Sequence, residues 1–144
     1  MTMIFVNLPV KELKRSVDFW TALGYSFNPQ FTDENATCLI IDDGHIFAML
    51  LVEDFFKTFT PRDIADTAKT AEVLIALSAD TRDAVDTLAD AALANGGGRA
   101  AEPQDFGYMY GRSFLDPDGH QWEVTWMDLS QTPATPGAAE TQRA

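Results

Sequence analysis

Two stretches of the sequence carry the same chemistry-bearing pattern, Asp43-Gly44-His45 and Asp118-Gly119-His120, and the second is followed three residues later by Glu123. Imidazole and carboxylate are the groups from which divalent-metal sites and general acid–base pairs are built. The spacing argues against convergence. If His120 to Met127 is a strand, alternate residues face opposite sides, so His120 points away from Glu123, together with Trp122, Val124 and Trp126. Both histidines therefore read as strand-end residues beside tight turns rather than as ligands. The side that Glu123 shares carries Gln121, Thr125 and Met127. Cys38, the single cysteine, reads as a small buried hydrophobe in a strand. It allows no internal disulfide and suits a reducing cytoplasm.

Charge narrows the partners. The net charge is −12, from 22 acidic residues against 10 basic ones. Nucleic acid is excluded as an expected partner, because phosphate binding needs a positive patch. An acidic field would favour a cationic ligand, although solubility alone accounts for it. No apolar run is long enough to span a bilayer, and no basic n-region precedes the first strand-like segment, so neither a membrane partner nor a signal peptide is expected.

The elements that must position these residues follow from periodicity. Met3 to Val10 reads as a strand, and Leu13, Val17, Phe19, Trp20 and Leu23 mark the apolar face of a helix that Gly24 ends. Strands are expected over Tyr25 to Phe31, Thr37 to Ile41 and Ile46 to Val52. Residues 53–71, with Phe55, Phe56 and Phe59, read as a connector or lid whose aromatics serve packing or dimer contacts. The order then repeats. Glu72 to Ala79 is a strand, Thr81 to Asn95 a helix capped by Asp80 or Thr81, and Arg99 to Gln104, Tyr108 to Leu115 and His120 to Met127 are three more strands. This gives an α+β chain of two βαβββ modules, residues 1–52 and 72–128, with curved mixed sheets around a shared cavity. The tail, 129–144, is expected to be disordered.

An internal duplication of period about 70 is thus the main organising feature. Ile4-Phe5-Val6-Asn7-Leu8 aligns with Val73-Leu74-Ile75-Ala76-Leu77, an offset of 74 − 5 = 69. The segment from Asp43 to Ala48 aligns with that from Asp118 to Glu123. The element order, the stretch Leu8-Pro9-Val10-Lys11-Glu12-Leu13 with Phe19-Trp20 and Leu23-Gly24, and the stretch from Phe114 to Glu123 (Phe-Leu-Asp-Pro-Asp-Gly-His-Gln-Trp-Glu) resemble the vicinal oxygen chelate superfamily. That group contains glyoxalase I, fosfomycin- and bleomycin-resistance proteins and extradiol dioxygenases. The resemblance implies that metal-dependent members hold their ion from the first and last strand of each module, at positions matching Phe5, Ala48, Leu74 and Glu123. Only Glu123 is a donor there, so neither a metal nor another cofactor is expected.

The turn Asp116-Pro117-Asp118-Gly119 favours a type I turn with Gly119 left-handed and a bulge, which sets Ser113 opposite Glu123; a two-residue turn would set Arg112 there instead. Pro at the second turn position favours the first register. The inferred cavity is mostly apolar, with Glu123 as the catalytic candidate and Phe5, Asn7, Ser78, Ser113 and Gln121 as substrate-binding candidates. Glu123 reads either as an idle relic or ligand anchor, or as a proton-transfer residue. The expected function is that of a glyoxalase/bleomycin-resistance-like homodimer binding a small, largely apolar or cationic molecule in a metal-free cavity. The alternative is a glyoxalase- or dioxygenase-type enzyme using Glu123 as metal ligand or general base.

Overall fold

Apolar residues alternating along a strand force one face inward, and the first strand, β1 (Ile4–Val10), follows that rule. Val6, Leu8 and Val10 enter the core while Phe5 stays 40% exposed on the other side. The computed structural model describes residues 1–131. After β1 come helix α1 (Leu13–Ala22), β2 (Ser26–Asn28), β3 (Ala36–Asp42) and β4 (Ile46–Val52). A short helix α2 (Glu53–Phe56) and one 3-10 turn lead into an irregular connector. The second half holds β5 (Leu74–Ser78), α3 (Arg82–Ala94), β6 (Gly98–Arg99), β7 (Gln104–Asp105), β8 (Met109–Leu115) and β9 (Gln121–Met127). Of the tail, only residues 129–131 belong to the described part; the expectation of disorder beyond them lies outside it.

These elements form two mixed sheets, ordered β1-β4-β3-β2 and β5-β9-β8-β6, with β7 also pairing β8. In each, the first strand runs parallel to the last and the hairpin between the last two is antiparallel. The fold is thus the mixed α+β arrangement of repeated modules read from the sequence. α1 ends with Gly24 at φ 97°, and α3 starts with the Thr81 hydroxyl accepting the Ala84 N–H at 3.0 Å.

Two expected strands are shorter than their hydrophobic runs. β2 stops at Asn28 because Pro29 opens a 3-10 turn, where the Asn28 side chain accepts the Gln30 N–H at 3.0 Å. The expected strand from Arg99 to Gln104 is broken into β6 and β7. An unbroken ladder from the Arg99–Phe114 pair would bring residue 103 opposite Tyr110, but Asp105 is there, so two residues are looped out around Pro103, which has no N–H to give a ladder.

The helix-side faces of both sheets meet in one core. Trp20 of α1 packs edge-on against Trp122 of β9 at 4.6 Å, and Phe19 lies 6.2 Å from Phe114. The turn between β8 and β9 fastens the halves together. Asp118 accepts the Lys11 N–H at 2.9 Å and the Arg15 guanidinium at 2.8 Å, just before and within the first turn of α1. The Asp118 carbonyl accepts from the Thr67 hydroxyl of the connector at 2.6 Å.

Gly44 and Gly119 both have positive φ, 82° and 83°, yet their surroundings differ. A Cβ on Gly44 would meet nothing within 4 Å, whereas one on Gly119 would sit 2.6 Å from the Thr67 hydroxyl oxygen. Gly44→Ala should therefore cost about 1 kcal/mol, the backbone strain alone. Gly119→Ala should cost about 2–4 kcal/mol, because overpacking adds to the strain. Urea unfolding of both variants measures the difference; equal losses would mean that Thr67 steps aside freely.

Candidate functional site

Which residues share a face is decided by the two hairpin turns. In the second module the Gly119 N–H bonds the Asp116 carbonyl and the Asp116 N–H bonds the His120 carbonyl, both at 2.9 Å. This is the bulged type I turn read from the sequence, and it sets Ser113 opposite Glu123 and Arg112 opposite Val124. In the first module the closing bond runs from the His45 N–H to the Asp42 carbonyl, with Gly44 third in its turn rather than fourth. That is the type II pattern, in which the third residue needs positive φ. Ile41 is then left over as a bulge between the Ile40–Phe47 and Asp42–Ile46 pairs.

The same Asp-Gly-His tripeptide thus closes two different turns, and the repeat alignment of the last strands must be corrected by one residue. Phe5 pairs with Phe47, their rings stacked at 4.8 Å, and Asn7 pairs with Met49. Ala48 lies on the opposite face, fully buried with Leu8, Leu39 and Leu50 in the core. Since Ala76 pairs with Glu123, and Asn7 stands where Ala76 does at the offset of 69, the counterpart of Glu123 is Met49, not Ala48. His45 and His120 are likewise not equivalent. His45 is exposed, 3.2 Å from Asp42, and His120 is buried.

The corrected set of first- and last-strand positions is Phe5, Met49, Leu74 and Glu123. A phenyl ring, a thioether and an isobutyl group offer nothing to a hard or borderline divalent ion, so these residues do not fit the metal that the fold's metalloenzymes hold. Among the described residues no group of three or more His, Cys, Asp or Glu side chains is placed to hold a metal ion.

Around Glu123 the non-helical face of the second sheet is built from Met109, Gly111 and Ser113 of β8, Gln121, Glu123 and Thr125 of β9, and Leu74, Ala76 and Ser78 of β5. A hollow of about 70 Å³ lies there, lined by Gly111 and by Ala101 and Glu102 after β6 and Gln104 of β7. Ser113 fixes that segment: its hydroxyl accepts the Ala101 N–H at 2.8 Å and donates to the Ala101 carbonyl at 3.3 Å. The position of Ser113 was legible in the sequence. Glu102 and Gln104 were not, because a strand was expected where the chain loops out.

Arg112, which also lines the hollow, places its guanidinium 2.8 Å from Asp90 and 3.0 Å from Asp86 of α3. The Tyr110 hydroxyl donates to Asp86 at 2.6 Å, and this bond, with Arg112, holds the Asp86 carboxyl below its usual range. Arg82, paired with Asp105, lies over the Tyr110 ring at 4.6 Å.

Of the sequence-derived site residues, Ser78, Ser113, Gln121 and Glu123 share one face of the second sheet, whereas Phe5 and Asn7 lie on the first. Every residue lining the hollow comes from the second module. Leu74 is 54% exposed and Phe5 also stays open, so each module presents its site face outward. Cys38 is fully buried beside Met49 in the first sheet, and burial raises its thiol pKa.

The match to known proteins agrees with this architecture. A hypothetical protein from S. aureus superposes with a TM-score of 0.73 at 27% identity, over 88% of this chain and 94% of that one. A glyoxalase/bleomycin resistance protein/dioxygenase family enzyme from Burkholderia phytofirmans gives 0.71 at 19%, over 88% and 99%. The fosfomycin resistance protein FosX from Mesorhizobium loti gives 0.63 at 16%, over 90% and 94%. No curated protein matches the chain. The family model that matches residues 2–124 is that of the glyoxalase/bleomycin resistance protein/dioxygenase superfamily, and the chain belongs to that family.

Proposed function

We propose that this chain is a binding protein of its superfamily, holding a small, largely apolar or cationic molecule against the Glu123 face of the second sheet without a transition metal. The observation that carries the reading is the hollow itself. It places two carboxylates, Glu102 and Glu123, among Ala101, Gly111, Ser113 and Thr125, and the Arg112 guanidinium is held by Asp86 and Asp90 of α3. Two carboxylates beside one hollow favour a positive ligand group. The donor-poor set Phe5, Met49, Leu74 and Glu123 supports binding without a metal.

The hollow, at about 70 Å³, is well below the roughly 300–1,000 Å³ of ordinary ligand pockets. It therefore serves as one wall of a larger site. The open face of a first module, with Phe5, Asn7 and Phe47, offers an apolar opposite wall, and in a homodimer the second copy supplies it. Exposed Phe5 and Leu74 would then be covered.

Three outcomes are expected. Purified protein carries no stoichiometric Ni, Zn, Fe or Mn, and chelation leaves its melting temperature unchanged; about one metal per chain, lost on Glu123→Gln, would sink the metal-free reading and favour the enzyme alternative. In a thermal-shift and calorimetric screen of aromatic and quaternary-ammonium cations, Glu123→Gln should weaken the best binder about tenfold, which is 1.4 kcal/mol, while stability stays within about 1 kcal/mol of the parent. Undiminished affinity in the variant would remove Glu123 from the site. Sedimentation should give twice 15.9 kDa, and Leu74→Glu should shift it toward the monomer with the circular-dichroism spectrum retained.

A further inference from the structure

His120 ends the turn between β8 and β9 and is only 1% exposed. Its ring ties the last turn to two further pieces of chain. Nε2 donates to the Pro9 carbonyl, near the end of β1, at 2.7 Å. Nδ1 lies 2.6 Å from a carboxylate oxygen of Glu72, two residues before β5. A carbonyl oxygen only accepts, so Nε2 carries a hydrogen in this contact. A bare nitrogen lone pair facing an ionised carboxylate at 2.6 Å would repel it, so the Nδ1–Glu72 contact also holds a proton.

The surroundings favour that proton. The Asp116 carboxylate accepts the His120 backbone N–H at 3.1 Å. The polar pocket beside the ring is lined by Asp118 of the same turn, Lys11 before α1, Glu53 of α2, Lys57 after it, and Asp63 and Asp66 of the connector, four carboxylates against two ammonium groups. Burial works to lower the imidazole pKa, but Asp116, the Pro9 carbonyl and Glu72 outweigh it and hold it above its ordinary value.

We propose that His120, Glu72 and Pro9 form a proton-operated clasp at the junction of the modules, complete while the His120–Glu72 pair keeps its proton and loosened at Glu72 when that proton leaves. Glu72, with 27% of its side chain exposed, has a path to water. Its release frees the connector, and the neutral ring left behind holds the end of β1 through the Nε2–H to Pro9 alone. Because the folded-state pKa of His120 is raised, the clasp's contribution to stability is complete below the unfolded value of about 6.5 and is lost as the pH climbs through the higher folded value.

The test uses the full chain and Glu72→Gln, whose amide can accept from a protonated Nδ1 or donate to a bare one, so that the contact tolerates either state. In the parent, the side-chain nitrogen resonances of His120 should report a ring that is still doubly protonated above pH 6.5. The urea midpoint should fall over the same pH range, with faster amide exchange in the connector. In Glu72→Gln that fall should be flattened. Loss of the His120 proton at or below pH 6.5, or parallel pH–stability curves for the two proteins, would overturn the clasp.

Discussion

Asp116 is a carboxylate taken out of water, and the last hairpin is arranged around keeping it satisfied. Three N–H groups reach it: those of Asp118 at 2.9 Å and His120 at 3.1 Å from the backbone, and the Trp122 indole at 3.0 Å. Burial alone pushes its carboxyl upward, and the His120 charge and these donors pull the other way. Because each donor has a fixed place on the turn, satisfying Asp116 fixes the turn type, and the turn type fixes which residues of β8 and β9 face each other. The indole bond also orients Trp122, the residue on which Trp20 of the first module packs. The site face, the joint core and the contacts of Asp118 with α1 all inherit their geometry from this one buried group.

The sequence was legible where a local rule and a global one agreed. The type I turn at Asp116–Gly119 follows from Pro117 and Gly119, and with it the opposition of Ser113 and Glu123. The two helices followed from period, cap and terminal glycine. It was misleading where identical residues serve different backbones. Gly44 and Gly119 are both preceded by Asp and followed by His, yet one is third and the other fourth in its turn. Periodicity carries no information about that choice, and a slip of one residue exchanges the two faces of a strand. Ala48 was placed on the site face by this slip. An alternating strand says which residues lie together but not which of two sheets comes to face which.

Once Met49 replaces Ala48, the first- and last-strand set holds one carboxylate, Glu123, among apolar side chains. The first module contributes an aromatic and sulfur-bearing surface, and the second an acidic hollow lined by Glu102, Gly111 and Glu123. A fold that also forms the fosfomycin resistance protein FosX can keep its sheets while the side chains on them change, because the helix-side core holds the sheets independently of what lies on the other face.

The reach of the last turn has a kinetic consequence. Lys11 is 107 residues from Asp118, and Pro9 is 111 residues from His120. The first helix, whose Glu12 provides no side-chain cap of its own, meets its carboxylate partner at the opposite end of the chain. Contacts so distant along the chain are made late and raise the barrier to folding, because the loop entropy must be spent before they form. During synthesis the amino-terminal module must wait, half tethered, until nearly the whole described chain has left the ribosome, and its exposed strand edge is then most open to pairing with a neighbouring nascent chain.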